Sequence, residues 1–230
     1  MSNKIFYLLQ VNDALFPIGG YSHSQGLETY IQKGIVKSEE TAVSYIQNKL
    51  RYSFANTELL GVRLSYEAAQ SGRLDLLEEL EQILEASRIP SEQRDASKKM
   101  GSRFMKTVEK LEIPELKTGI FIEYQAARYK KTINHCIVYG VYCAALGICL
   151  EEALYHFLYA QTSAMVTNCV KTIPLSQSAG QKILVNCYQT FTEILGCVTD
   201  YDTEDFCLSA PGFDMRGMQH ETLYSRIYMS

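Results

Sequence analysis

Apolar residues recur at three- and four-residue steps along nearly all of this 230-residue chain, and no segment alternates with period two over a convincing length. That pattern confines the chain to an all-α fold. The clearest stretch follows Ser38, where an N-cap, Glu39 and Glu40 in the first turn, and Val43, Ile46, Leu50 and Phe54 on one face predict a helix. Leu59 to Gln70 reads as its continuation or as a neighbour, closed by Ser71-Gly72, after which Leu76, Leu77, Leu80, Ile83 and Leu84 draw the next stripe. Pro90 opens another helix, with Met100, Phe104 and Val108 on its apolar side and Arg94, Lys98, Lys99 and Arg103 on overlapping polar faces. Pro114 breaks it, and Ile120, Phe121, Tyr124 and Ala127 begin a short helix that ends in the basic loop RYKK.

Thr132 reads as the N-cap of the run HCIVYGVYCAALGI, whose small residues let helices approach closely. Such a helix belongs at the centre of the monomer, or equally in a contact between two copies. Glu151 and Glu152 open a helix carrying Leu154, Phe157, Leu158, Gln161 and Met165, interrupted at Ile173-Pro174. Ser176 starts a further one, with Ile183, Leu184, Cys187, Tyr188, Phe191 and Leu195 on its inner face. No repeat or low-complexity linker divides the sequence, so residues 1–230 are expected to form one compact multi-helix domain. Residues 200–230 stand apart as a polar tail marked by Gly and Pro and aromatic at its end, free to be flexible until a partner orders it.

At 47% hydrophobic content the chain can bury a sizeable core, and its formal charge of −4 with scattered Lys and Arg argues against nucleic acid as a partner. Seven cysteines without a C-x-x-C pair, and an opening MSNKIFYLLQ without a signal peptide's apolar run and cleavage site, point to reduced thiols in a cytoplasmic protein. The most apolar run, Cys136 to Leu150, falls short of the roughly 20 residues that a bilayer crossing needs. No membrane association is expected.

The stretch PIGGYSHSQGLE, Pro17 to Glu28, carries the local chemistry worth testing. A nucleophile elbow needs G-x-S-x-G, but Ser24 stands where the second Gly would have to be, and no strand precedes it. No G-x-x-x-x-G-K-[ST] phosphate loop occurs anywhere, so any nucleotide would be bound by another protein. His220-Glu221-Thr222-Leu223-Tyr224 resembles a zinc-protease helix motif but has Tyr224 in place of the second His. His23, His135, His156 and His220 are isolated from other ligands in sequence, and no metal site is predicted. Structurally, Pro17, Gly19 and Gly20 make a turn, Ser22-x-x-Gln25 fits a capping box, Leu27, Tyr30 and Ile31 form an apolar face, and Gly34 is a C′ stop. Tyr21 and His23 are then expected to project from the turn. At the other end, HETLYSRIYMS places Arg226 between Tyr224 and Tyr228, with Ile227 and Met229, the residue types of a buried contact. Such a tail suits a partner, or its own core.

PIGGYSHSQGLE, AQTSAMVTNCVKTIPLSQSAGQKIL at 160–184 and HETLYSRIYMS resemble, in order and spacing, the UreF family of urease accessory proteins. LLQVNDALFP and RDASKKMGSRF extend the likeness through nearly the whole chain. The resemblance implies an all-α homodimer without catalysis of its own. It would bind the accessory protein UreD (or UreH), recruit the GTPase UreG, which holds the GTP, and dock on apo-urease for nickel insertion. It implies partner-binding roles for Tyr21, Glu28, Lys171, His220, Tyr224, Arg226, Tyr228 and Met229, with Lys171 matching a lysine linked to control of the GTPase. No tightly bound cofactor is implied, although Ni²⁺ can transit the complex. The competing expectation is a metallochaperone that carries Ni²⁺ on its own His and Cys ligands.

Overall fold

The computed structural model describes residues 3–230, and helix follows helix along it with no strand among the described residues. In chain order these are α1 (Lys4–Asn12), α2 (Leu27–Gln32), α3 (Glu39–Lys49), α4 (Leu60–Gln70), α5 (Leu74–Ser87) and α6 (Ser91–Lys110), then α7 (Ile120–Ala127), α8 (His135–Ala145), α9 (Leu150–Thr172), α10 (Gln177–Asn186), α11 (Tyr188–Asp200) and α12 (Pro211–His220). The opening helix expected from MSNKIFYLLQ is α1; Met1 and Ser2 lie outside the described residues. No helix among the described residues is long and apolar enough to cross a membrane.

Ser38 caps α3 as its sequence requires: Ser38 Oγ accepts the Thr41 amide while Thr41 Oγ1 accepts the Ser38 amide. Between α3 and α4 the chain stays helical but widens into a π-helical stretch, Leu50–Leu59, so the two helices are one continuous element. The widening leaves Asn56 able to bind outward, its carbonyl accepting the Cys207 amide at 2.8 Å and its side-chain amide donating to Asp205 O at 3.3 Å. Ile46, Leu50 and Phe54 are fully buried on the predicted face.

α8 occupies the centre, with every residue from His135 to Cys143 buried, so the small-residue run is monomer core rather than a dimer contact. Gly140 lets α8 lie against α4: a Cβ there would fall 2.5 Å from the Val62 carbonyl. Phe104 of α6 and Phe157 of α9 close on α8 from two sides, with ring centroids 5.4 Å from Tyr142 and 4.8 Å from Tyr139 respectively. Thr132 does not cap this helix. Its hydroxyl donates to Glu85 and its carbonyl takes Arg128, while the helix begins three residues later, where the buried Glu81 carboxylate accepts Asn134 N at 3.0 Å and Asn134 Nδ2 at 2.7 Å. A carboxylate from α5 thus replaces a local cap.

Two further expectations change. The stripe on α5 narrows to Leu77, Leu80 and Leu84, with Leu76 and Ile83 partly exposed. The helix after Ser176, which caps Ala179 N as predicted, breaks at Cys187. Gln47 Nε2 donates to the Asn186 carbonyl at 2.8 Å, satisfying an orphaned helix-end acceptor, and α11 turns so that Glu193 pairs with Arg51 at 2.6 Å. Tyr188 is consequently exposed. All seven cysteines are free, and burial pushes the Cys136 and Cys143 thiols up, keeping them protonated.

His135 gives the core a pH signature. Burial, reinforced by the Arg88 guanidinium and opposed by Glu58, pushes its ring down to about 4. The unfolded chain therefore binds a proton near pH 6.5 that the folded chain refuses until about pH 4, and stability falls on acidification through that window, by about 3 kcal/mol from this group. Chemical denaturation from pH 7 to 4 should show this loss, and His135→Phe should flatten it.

Candidate functional site

The turn after α1 is built on Gly19, whose φ of +79° starts a single 3-10 turn over Gly20–Ser22. Ser22 Oγ donates back to the Gly19 carbonyl at 2.8 Å, so the predicted Ser22–Gln25 capping box does not form. The chain instead passes through two left-handed residues, Gln25 (φ +54°) and Gly26 (φ +86°), before α2 begins at Leu27. Gly26 also packs against the Gly217 backbone of α12, 3.3 Å from where its Cβ would stand. At the far end of α2, Gly34 is the C′ residue that was expected: Ile35 N donates to the Tyr30 carbonyl at 2.9 Å and Gly34 N to that of Ile31.

Tyr21 projects from this turn and is 75% exposed. His23 does not project; it is buried, with Nδ1 2.9 Å from Ser230 Oγ and its carbonyl accepting Asn168 Nδ2 at 2.9 Å. Burial lowers its pKa, Lys99 and Arg103 lower it further, and Glu92 pulls the other way.

The C-terminal tail is docked on this turn. Ser24 and Gln25 amides both donate to the Ser230 main-chain oxygen, and Met229 N donates to Ser22 O at 2.8 Å. At the centre is Glu28, in the first turn of α2 and 3% exposed. Its carboxylate accepts Ile227 N at 2.7 Å and Tyr228 N at 3.0 Å, and faces His220 Nε2 at 3.1 Å. The other His220 nitrogen, Nδ1, lies 2.7 Å from Glu92 of α6, and Arg226 closes the chain of charges on the second Glu92 oxygen. Each ring nitrogen of His220 thus faces a carboxylate, one from α2 and one from α6. Glu221, beside His220, accepts the Ser91 amide at the start of α6 at 2.8 Å.

The residues expected to bind partners therefore fall into two sets. Glu28, His220 and Tyr228 are buried and hold the tail; Arg226 is half-exposed on Glu92. Tyr21, Tyr224, Met229 and Lys171 are displayed, together with Ile227, and Tyr224 has no covering at all. Tyr21 and Lys171 line one cleft of about 330 Å³ whose walls include His23, Gln25, Met100 and His135. Glu92 and Ser230 were missed by sequence reasoning: Glu92 reads only as a first-turn acid of α6, and its partner is 128 positions away. Among the described residues no group of three or more His, Cys, Asp or Glu could hold a metal ion.

The sequence pattern of the UreF family, described as UreF, matches residues 36–188. The urease accessory protein UreF of Haemophilus influenzae strain PittGG is 35% identical over 225 residues, 97% of this chain and 94% of that protein. That of Bacillus sp. strain TB-90 is 35% identical over 230 residues, 99% of this chain and 100% of that protein. The second alignment thus takes in nearly all of both ends as well as the helical body.

Removing the Glu28 carboxylate strips the tail amides of their acceptor, and bonds to a charged group contribute about 1.5–3 kcal/mol each. Glu28→Ala should leave helical circular dichroism unchanged while trypsin cuts rapidly after Arg226; the unsubstituted chain should resist at that bond.

Proposed function

Because the chain belongs to the UreF family of urease accessory proteins, we propose that it acts without catalysis of its own, in the cytoplasm, as the assembly platform of urease maturation. In this reading it binds UreD or UreH, recruits the GTPase UreG and docks with them on apo-urease, where GTP hydrolysis by UreG is coupled to insertion of Ni²⁺. The absence of a phosphate loop from the sequence is consistent with the nucleotide residing on UreG. Nickel is cargo of the whole complex.

One observation carries this reading: Glu28 fixes the tail along α2, so that exposed Met229 comes beside the turn that displays Tyr21, while Ile227 and Tyr224 are displayed further along the same tail. A tail already ordered by its own chain loses little conformational entropy when a partner arrives. Tyr224 and Tyr21 are rigid amphipathic side chains of the kind that dominate protein interfaces. Lys171, in the last turn of α9 and exposed, is available to the GTPase or to its regulator.

The homodimer has a candidate seat elsewhere. An open apolar cleft of about 1140 Å³ runs between α1, α9 and α11, lined by Leu9, Tyr155, Tyr159, Tyr188, Phe191 and Leu195. Its exposed tyrosines supply the apolar area that self-association buries.

Two measurements check these readings. With purified UreD or UreH and UreG, Tyr224→Ala should weaken capture of the partners by about 2 kcal/mol, roughly 30-fold, without loss of fold; full retention would contradict the platform. Tyr188→Asp should convert a dimer to a monomer in light scattering, with the circular dichroism spectrum retained.

A further inference from the structure

Of the six cations on α6, Arg94 and Lys98 are engaged within the chain. Lys98 pairs with Glu85 at 3.2 Å and Asp95 at 3.3 Å, and Arg94 donates to the Arg88 carbonyl at 2.7 Å. Lys99 and Arg103 differ: both are exposed, and neither has an ion-pair partner among the described residues. The Arg103 guanidinium lies directly over the bare backbone of Gly19, where a Cβ would come within 2.1 Å of it. Lys171, also without an ion pair among the described residues, stands with Tyr21 on the lining of the adjoining cleft. The acid on that lining, Asp13, accepts the Leu15 amide. In a chain of formal charge −4, three unpaired cations thus lie about the turn that displays Tyr21: Arg103 over Gly19, Lys99 with Arg103 within electrostatic reach of His23, and Lys171 on the Tyr21 cleft.

Two main-chain N–H groups of the turn are committed within it, Ser22 N to Gly19 O and His23 N to Gly20 O. Around the turn a ligand meets side-chain cations spread over two helices, an aromatic ring and the apolar edges of Ile18 and Met100, a surface suited to carboxylates distributed along a polypeptide. The net negative charge of the chain further opposes nucleic acid.

We propose that Tyr21, Lys99, Arg103 and Lys171 form a docking surface for an acidic segment of a partner protein, the carboxylates pairing with the three cations and the chain packing on Tyr21. This rests on the reading that the turn faces a maturation partner, and adds the chemistry of what docks there. Such a contact is salt-dependent, because solvent-facing pairs are screened.

The test is titration of the full-length chain with each purified partner, UreD or UreH, UreG and apo-urease, at about 50 mM and about 500 mM NaCl. Arg103→Glu and Lys171→Glu should each weaken binding of one partner by roughly tenfold at low salt, converge with the unsubstituted chain at high salt, and leave circular dichroism unchanged. Arg103→Gln should give a smaller loss of the same sign, and Lys117→Glu, an exposed lysine beyond α6, should have no effect. Polyglutamate should compete with the partner better than inorganic phosphate or duplex DNA at matched ionic strength. Binding within twofold of the unsubstituted chain for both reversals, or stronger competition by phosphate or DNA, overturns the acidic-segment proposal. If Tyr224→Ala still weakens capture in that case, the platform reading stands by itself. If the unsubstituted chain binds none of the partners, both fall.

Discussion

The buried carboxylate of Glu28 joins the two ends of the chain. Burying a charge in this way is costly unless its lone pairs are matched, and here two main-chain amides and the His220 ring match them. A slip of the tail by one residue would shift Ile227 N and Tyr228 N off the carboxylate and take the Tyr228 side chain from its buried position. The interaction therefore specifies register as much as it stabilises. It puts Tyr228 inside, Ile227 and Met229 outside, and Tyr224 in full solvent.

That arrangement depends on the core behind it. α8 is buried along its length and fixes α6 through Phe104, so the first turn of α6 presents Glu92 to His220 and Arg226 from a rigid support. α9 contributes Asn168, which holds the His23 carbonyl, and carries Lys171 one helical turn further on. Three elements remote in sequence thus share one surface: the N-terminal turn, the flank of α6 and the end of α9. Arg103 lies over Gly19, Lys171 on the Tyr21 cleft, and Lys99 within electrostatic reach of His23, because α6 and α9 meet the turn there.

Features determined by neighbours in sequence were legible before the structure. The Ser38 and Ser176 caps, the Gly34 stop and the faces carrying Ile46, Phe54, Phe104 and Phe157 follow from local propensity and periodicity, and all are present. Local reasoning failed where a distant group claimed the same atoms. Thr132 looked like a cap until Glu85 and Arg128 engaged it, and the Ser22–Gln25 box was displaced when Ser230 took the Ser24 and Gln25 amides. His23 was expected at the surface because nothing beside it in sequence shows that the tail covers it. The π-helical stretch has no local signature either, since its use emerges only when residues 205–207 return to Asn56. The family, by contrast, was legible from three motifs, two of which proved to be the halves of one knot.

In the proposed reading, the chain's own ends are tied together so that the residues proposed to meet partners are positioned before any partner arrives. Hydrogen exchange on the full-length chain, alone and with UreD or UreH and UreG, tests that claim most directly. The account predicts slow exchange at the Ile227 and Tyr228 amides in the isolated chain, and further protection appearing together around Tyr21 and Tyr224 when the partners bind. Tail amides that exchange at the unfolded rate in the isolated chain, or partner-induced protection confined to other surfaces, would contradict it.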